Sequence, residues 1–295
     1  MKISIINACT DLGVDVDGAS CGPKIIKQRL KNNNNINRII DFECDCNNKS
    51  NNPKDMEKNY DRLMKYTTDL YLGILRSKND KSFTITIGGD HSIATSSALA
   101  SIKKEEELGI IWIDSHADYN TFKTTITGNL HGLPLATLNG LNRKLSLFHD
   151  GEYFDPKKTV IVGYRSDEDN KDLELNNLVK AGVTFYTTND IKEKGINTII
   201  DDAFKIASDN HNIKVHISYD LDFIDPKYAP GVSIPEKDGV TKNQALNVLD
   251  KILKYKKEIS SFDLVEYNPN NDINNITLDI AEEIINKVCE TFKNL

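Results

Sequence analysis

Strand-type and helix-type segments alternate along the whole chain, and this alternation limits the possible folds more than any other feature. Apolar β-type runs fall at 2–6, 36–42, 83–87, 109–113, 158–162, 183–187, 213–218 and 259–265. Helix-type segments fill the gaps at 23–30, 55–76, 91–104, 170–180, 196–209, 242–255 and 275–293. The long segment 55–76 carries Leu63, Tyr66, Leu70 and Ile74 at helical spacing. Such alternation predicts a mostly parallel sheet with helices on both faces. No Pro/Gly/Ser-rich linker interrupts it, so the 295 residues are read as one domain, 1–295.

In open parallel sheets, ligands bind beyond the carboxyl ends of the strands. Three polar segments stand at such ends: Gly88-Gly89-Asp90-His91-Ser92, Asp114-Ser115-His116-Ala117-Asp118 and Ser218-Tyr219-Asp220-Leu221-Asp222. In Asp-x-His-x-Asp and Asp-x-Asp the ligand-type residues are two apart, and side chains two apart on a strand share a face. Carboxylates and imidazoles that converge on one point repel one another or bind a cation. An oxygen-rich set with some imidazole suits Mn²⁺ better than the sulfur-rich sets that favour zinc. Asp90 precedes His91 and is expected to point away from it, in a capping or supporting role or as a further ligand. His149, His211 and His216 stand outside these segments and are read as loop, helix-end and core residues.

These three segments, in this order, resemble the ureohydrolases, the family of arginases, agmatinases and formimidoylglutamases. The third continues as Ser218-Tyr219-Asp220-Leu221-Asp222-Phe223-Ile224-Asp225-Pro226, and the resemblance runs from near Gly13 to near Pro269. It implies a three-layer α/β/α fold around a central sheet of eight strands. It also implies two Mn²⁺ ions shared by His91, Asp114, His116, Asp118, Asp220 and Asp222, with Asp118 catalytic as well as a ligand. Two divalent cations would neutralise this anionic cluster and activate a water to attack the planar carbon of a guanidinium or amidine.

The loop Asn120 to Leu135 contains Gly128-Asn129-Leu130-His131-Gly132-Leu133-Pro134, which is similar to arginases in particular. By that resemblance His131 is the general acid for the leaving amine, a task its titration range suits. Asn120 matches an arginase Asn that holds the substrate α-carboxylate, and Thr127 keeps the hydroxyl of a Ser that does the same. Agmatine has no such carboxylate, so this loop argues for arginine. Val265-Glu266-Tyr267-Asn268-Pro269 looks like the arginase segment whose Glu pairs with the guanidinium, and Glu266 matches it.

The chain departs from arginases in two places. The turn Ala229-Pro230-Gly231-Val232-Ser233-Ile234-Pro235 looks like formimidoylglutamases, although Thr241 beyond it keeps a hydroxyl that lies near substrate in arginases. In the second, Glu168 falls where arginases place an Asp on the substrate α-amino group. Asp167 and Asp169 flank it, and the choice among the three stays open.

The expected activity is therefore a binuclear manganese hydrolase of a guanidino or amidino group on an amino acid, with arginase first. Formimidoylglutamase, agmatinase or another guanidino-acid hydrolase is the alternative. A metal-binding but catalytically weak member with a regulatory role is a further one. A net charge of −7 argues against non-specific nucleic-acid binding but would attract a small cation. No apolar run reaches membrane-spanning length. The N-terminus reads as a strand with no secretory leader. The five cysteines, with Cys44-Asp45-Cys46 too tight for a usual redox pair, are read as reduced thiols of a cytoplasmic protein. The family resemblance implies a homo-oligomer, a trimer or hexamer.

Overall fold

A computed structural model describes residues 1–50, 52, 58–79, 82–105, 107–147, 153–165, 171–293 and 295. Eight strands form one sheet: β1 (Lys2–Cys9), β2 (Arg38–Glu43), β3 (Ser82–Gly88), β4 (Leu108–Ile113), β5 (Thr159–Tyr164), β6 (Thr184–Thr187), β7 (Lys214–Asp220) and β8 (Ile259–Val265). Their order is β2-β1-β3-β8-β7-β4-β5-β6. Every pairing is parallel, so the sheet is wholly rather than mostly parallel.

The helices are α1 (Gly22–Arg29), α2 (Tyr60–Asn79), α3 (Ala94–Glu105), α4 (Pro134–Leu138), α5 (Lys171–Ala181), α6 (Thr188–Lys194), α7 (Ile196–Ala207), α8 (Lys242–Leu253) and α9 (Ile276–Lys293). The strand period of two divides the apolar side chains between two faces. On β4, Ile111 and Ile113 join one core with Ile26 of α1, Phe204 of α7, Val248 of α8 and Ile284 of α9. Ile110 and Trp112 join the other with Ala98 of α3, Leu135 of α4 and Leu178 of α5. Both faces of a parallel sheet are thereby buried, which explains why its strands read as near-continuous apolar runs. Residues Leu63, Tyr66, Leu70 and Ile74 form the buried stripe of α2, as their spacing predicts.

The chain passes from β3 at one side of the β8–β7 pair to β4 at the other. A change of direction of this kind opens a crevice at the carboxyl ends of the strands. The ends of β3, β8, β7 and β4 are adjacent there, and they carry the polar segments.

Candidate metal centre

The six expected ligands come together although they lie far apart in sequence. His91, Asp114 and Asp118 have potential ligand atoms within 4.8 Å of one another, as do Asp114, His116 and Asp222. Asp114 belongs to both groups. Asp220 joins the first through its Oδ2, 3.1 Å from His91 Nδ1. All six are buried except His116, which is partly so.

His91 shows what the cluster is built to hold. Its ring stacks on Trp112, with centroids 4.0 Å apart and planes at 6°. Its Nε2 lies 2.8 Å from the Ser218 hydroxyl, which leaves Nδ1 facing inward. Nδ1 lies 3.0 Å from Asp114, 3.1 Å from Asp118 and 3.1 Å from Asp220, yet makes no hydrogen bond. Asp114 Oδ2, Asp118 Oδ2 and His116 Nε2 are likewise buried without a hydrogen-bond partner. A buried imidazole nitrogen pressed against three carboxylates is unfavourable unless a positive charge, a proton or a metal ion, lies among them. The donor set of four aspartates and two histidines suits a hard or borderline divalent cation.

The titration behaviour agrees. Burial lowers His91, but the carboxylates of Asp114, Asp118 and Asp220 outweigh it and hold the imidazole well above its ordinary range. Burial, with the charge of Asp114, raises Asp118 to about 6. Asp220 is also raised, by burial and by the charges of Asp222 and Asp114. Without a cation, the cluster has to share protons. A metal would replace them, which is the usual coupling of binding to proton release.

Neighbouring groups fix the ligands. His116 Nδ1 is 2.8 Å from Asp222 Oδ2, and Ser115 donates to Asp222 Oδ1 from its hydroxyl at 2.7 Å and its backbone at 3.1 Å. Asp220 Oδ1 accepts from the Asp222 N–H at 2.7 Å, so its Oδ2 is the oxygen turned to His91. Asp90 takes a capping role: it accepts from Ser92 N at 2.9 Å and Gly13 N at 2.7 Å.

Beside the cluster, His131 Nδ1 lies 2.9 Å from Glu266 Oε1, which also accepts from the His91 N–H at 2.8 Å. Glu266 Oε2 is buried without a hydrogen-bond partner. Burial lowers His131, but the charge of Glu266 overrides it and raises the imidazole to about 9. A small cavity between His116, Asp118 and His131 also reaches Asn120 and Glu174. It adjoins one of about 250 Å³ lined by Asn120, Thr127, Asn129, His131 and Ile234. A larger surface hollow, about 820 Å³, lies between α9 and residues 29–35, away from this chemistry.

Asn120 and Thr127 therefore both line the second cavity. Thr241 does not line either cavity, because its hydroxyl caps α8 in a reciprocal pair with Gln244. Glu168, with Asp167, Asp169 and His149, lies outside the described residues. His211 sits on the surface against Glu258, and His216 is buried between Ser261 and Asp263. Sequence reasoning missed Glu174 of α5, which is buried and accepts from Tyr119 N at 2.8 Å and Asn120 Nδ2 at 3.1 Å. It also missed Ile234. No local signal marks a Glu within a polar helix as buried.

Among known proteins, the arginase of Plasmodium falciparum (isolate 3D7) is 36% identical over 211 residues, which cover 70% of this chain and 50% of that protein. The chain thus spans about half the length of that relative. The arginase of Bacillus subtilis (strain 168) is 30% identical over 96% of each chain. A crystal structure of Entamoeba histolytica arginase in complex with L-ornithine matches with a TM-score of 0.86 at 25% identity, covering 99% of this chain and 98% of that one. The sequence model of the Arginase family matches residues 1–290, and the chain belongs to that family.

Proposed function

We propose that this chain is a manganese-dependent hydrolase that converts L-arginine and water to L-ornithine and urea. In this reading two Mn²⁺ ions are held by His91, Asp114, His116, Asp118, Asp220 and Asp222. The observation that carries it is the inward Nδ1 of His91, surrounded by three carboxylates without a hydrogen bond. The named arginases among the relatives, and a neighbour solved with L-ornithine, support an amino-acid substrate.

Divalent ions bound there would lower the pKa of a water and so supply hydroxide near neutral pH. The chain's own residues do the rest. Glu266 Oε2, buried without a partner, can accept from the substrate guanidinium. Glu266 Oε1 holds His131 through Nδ1, which leaves Nε2 to deliver a proton to the departing δ-nitrogen. Asn120 and Thr127 line the cavity that would take the α-carboxylate. Asn120 is oriented by Glu174, to which its Nδ2 donates at 3.1 Å. Glu168 or a flanking Asp is assigned to the α-amino group. Thr241 contributes by capping α8. Organisation as one domain, assembly into a homo-oligomer and a cytoplasmic location belong to the same proposal. No described helix is long and apolar enough to cross a membrane.

A second reading, hydrolysis of a formimino amino acid, has one observation in its favour. Ile234, from the turn that departs from arginases, is an apolar side chain lining both cavities. A formimino carbon carries hydrogen where a guanidinium carries a third nitrogen, and that hydrogen needs no acceptor. The kcat/KM values for arginine, formimidoylglutamate, agmatine and guanidinobutyrate decide between these readings. Arginine is expected to have the highest value. A higher value for formimidoylglutamate would transfer the assignment to that substrate.

A further inference from the structure

Four of the five cysteines, Cys9, Cys21, Cys44 and Cys46, line one hollow of about 610 Å³. It lies by the carboxyl ends of β1 and β2, where Cys9 pairs with Glu43. Two of these cysteines are arranged differently from the rest. Just past β2, residues 44, 45 and 46 alternate between half-buried and exposed, so Cys44 and Cys46 are both turned inward. Both also pack against the Leu12, Leu63 and Leu130 cluster. The Cys44 and Cys46 thiols interact with one another, and Cys44 also interacts with Thr10. The Arg62 guanidinium grips the Asp45 carbonyl between them. The neighbouring Cys46 lowers the Cys44 thiol below its ordinary value, against its burial. The Cys46 thiol is raised by Cys44 and by burial. A more acidic thiol beside a protonated one is the arrangement used in thiol–disulfide exchange.

We propose that Cys44 and Cys46 form a redox-active dithiol, which small-molecule disulfides convert to an intrachain disulfide, and that this oxidation slows hydrolysis through the Thr10–Gly13 loop. Cys44, as thiolate, attacks one sulfur of the oxidant, forming a mixed disulfide and expelling one thiolate. Cys46 then loses its proton, attacks the Cys44 sulfur and expels the second. The dithiol is oxidised and the oxidant is reduced to two thiols. The C-x-C spacing is tighter than that of a usual redox pair, yet residues two apart lie at most about 6.6–7.2 Å apart even in fully extended chain, near the span a disulfide bridges.

The path to the site is short. A bonded sulfur pair lies at about 2.05 Å, so closure draws the two side chains together and disturbs their packing against the cluster that contains Leu12, a residue of this loop. The Thr10 carbonyl accepts from Asp90 N at 3.0 Å, and the Gly13 N–H donates to Asp90 Oδ2 at 2.7 Å. The Gly13 carbonyl accepts from His131 N at 3.0 Å. Moving this loop therefore moves supports of both His131 and the His91 segment. The activity arm rests on the proposed hydrolytic function, whereas the dithiol arm does not.

The test treats the full-length, manganese-loaded protein with oxidised glutathione. Intact mass, peptide mapping and kcat on its best amidine substrate are then measured. The expected wild-type result is loss of two hydrogens, a mapped Cys44–Cys46 disulfide and a kcat lowered roughly tenfold or more, as misplaced catalytic groups cause. Dithiothreitol should reverse all three. The Cys46→Ser variant should stop at the mixed disulfide, with glutathione retained on Cys44. Glutathione retained on wild-type Cys44, or a disulfide mapped to Cys9 or Cys21 instead, would overturn the dithiol. A fully formed Cys44–Cys46 disulfide with unchanged kcat would overturn its coupling to the site.

Discussion

Asp118 and Glu266 adopt left-handed backbone conformations, at φ 48° and 66°, although neither is glycine. Such a conformation costs on the order of 1–3 kcal/mol and persists only where the surroundings enforce it. For Glu266 the enforcing contacts are its own N–H to the Gly89 carbonyl, at 2.8 Å, and its carboxylate to His91 N and His131. The strain thus turns a carboxylate from the end of β8 back over β3. Two outcomes follow for this pair. His131→Asn should lower kcat by roughly 10²–10⁴, the usual range for general acid–base catalysis. Bound metal should stay unchanged, and an unaltered kcat would remove His131 from the reaction. The charge of Glu266 is what raises His131 to about 9 against burial. In the metal-free protein, then, the imidazole should stay protonated through neutral pH and lose its proton only as pH rises through about 9. NMR titration checks this, and Glu266→Gln should move the midpoint down, towards the ordinary range. An unmoved midpoint would show that Glu266 does not set it.

At the level of elements, the end of β5 braces the metal segments. Its ladder with β6 shifts register between Val162 and Tyr164, and Gly163 sits there at φ 112°. A Cβ on Gly163 would come within 2.3 Å of the Phe223 ring and 2.8 Å of the Asp114 carbonyl. Arg165 then reaches the carbonyls of Asp222, Glu236 and Lys237, tying β5 to the divergent turn. Gly163→Ala should therefore destabilise the fold by about 1–3 kcal/mol, from backbone strain and overpacking. Denaturant unfolding would measure it, and an unchanged midpoint would contradict this account of β5. The eight strands were legible in sequence because burial on both faces makes them short apolar runs. The seven-residue α6 and five-residue α4 were not, because one or two turns carry too little periodicity. The meeting of His91, Asp114 and Asp220 was legible because their segments follow strands of one sheet. The backbone strain at Asp118 and Glu266 was not, since it arises from contacts across strands. Nor was the burial of Glu174, which depends on where α5 docks.

Across the whole molecule, the candidate ligands are delivered by β3, β4 and β7, strands distant in sequence and gathered only by the sheet order. A cation held among them favours the folded state by mass action, by about 2.7 kcal/mol at a hundred times Kd. Removing metal with a chelator should therefore lower Tm, and returning Mn²⁺ should restore it. A Tm indifferent to both would argue against a site assembled by folding. The most direct test of the central claim is anomalous diffraction at the manganese edge from crystals grown with Mn²⁺. Two resolved manganese peaks are expected. One should lie against His91, Asp114, Asp118 and Asp220, and the other against Asp114, His116 and Asp222. A map with no peak in this cluster, or a single peak that leaves His116 and Asp222 unliganded, would contradict it.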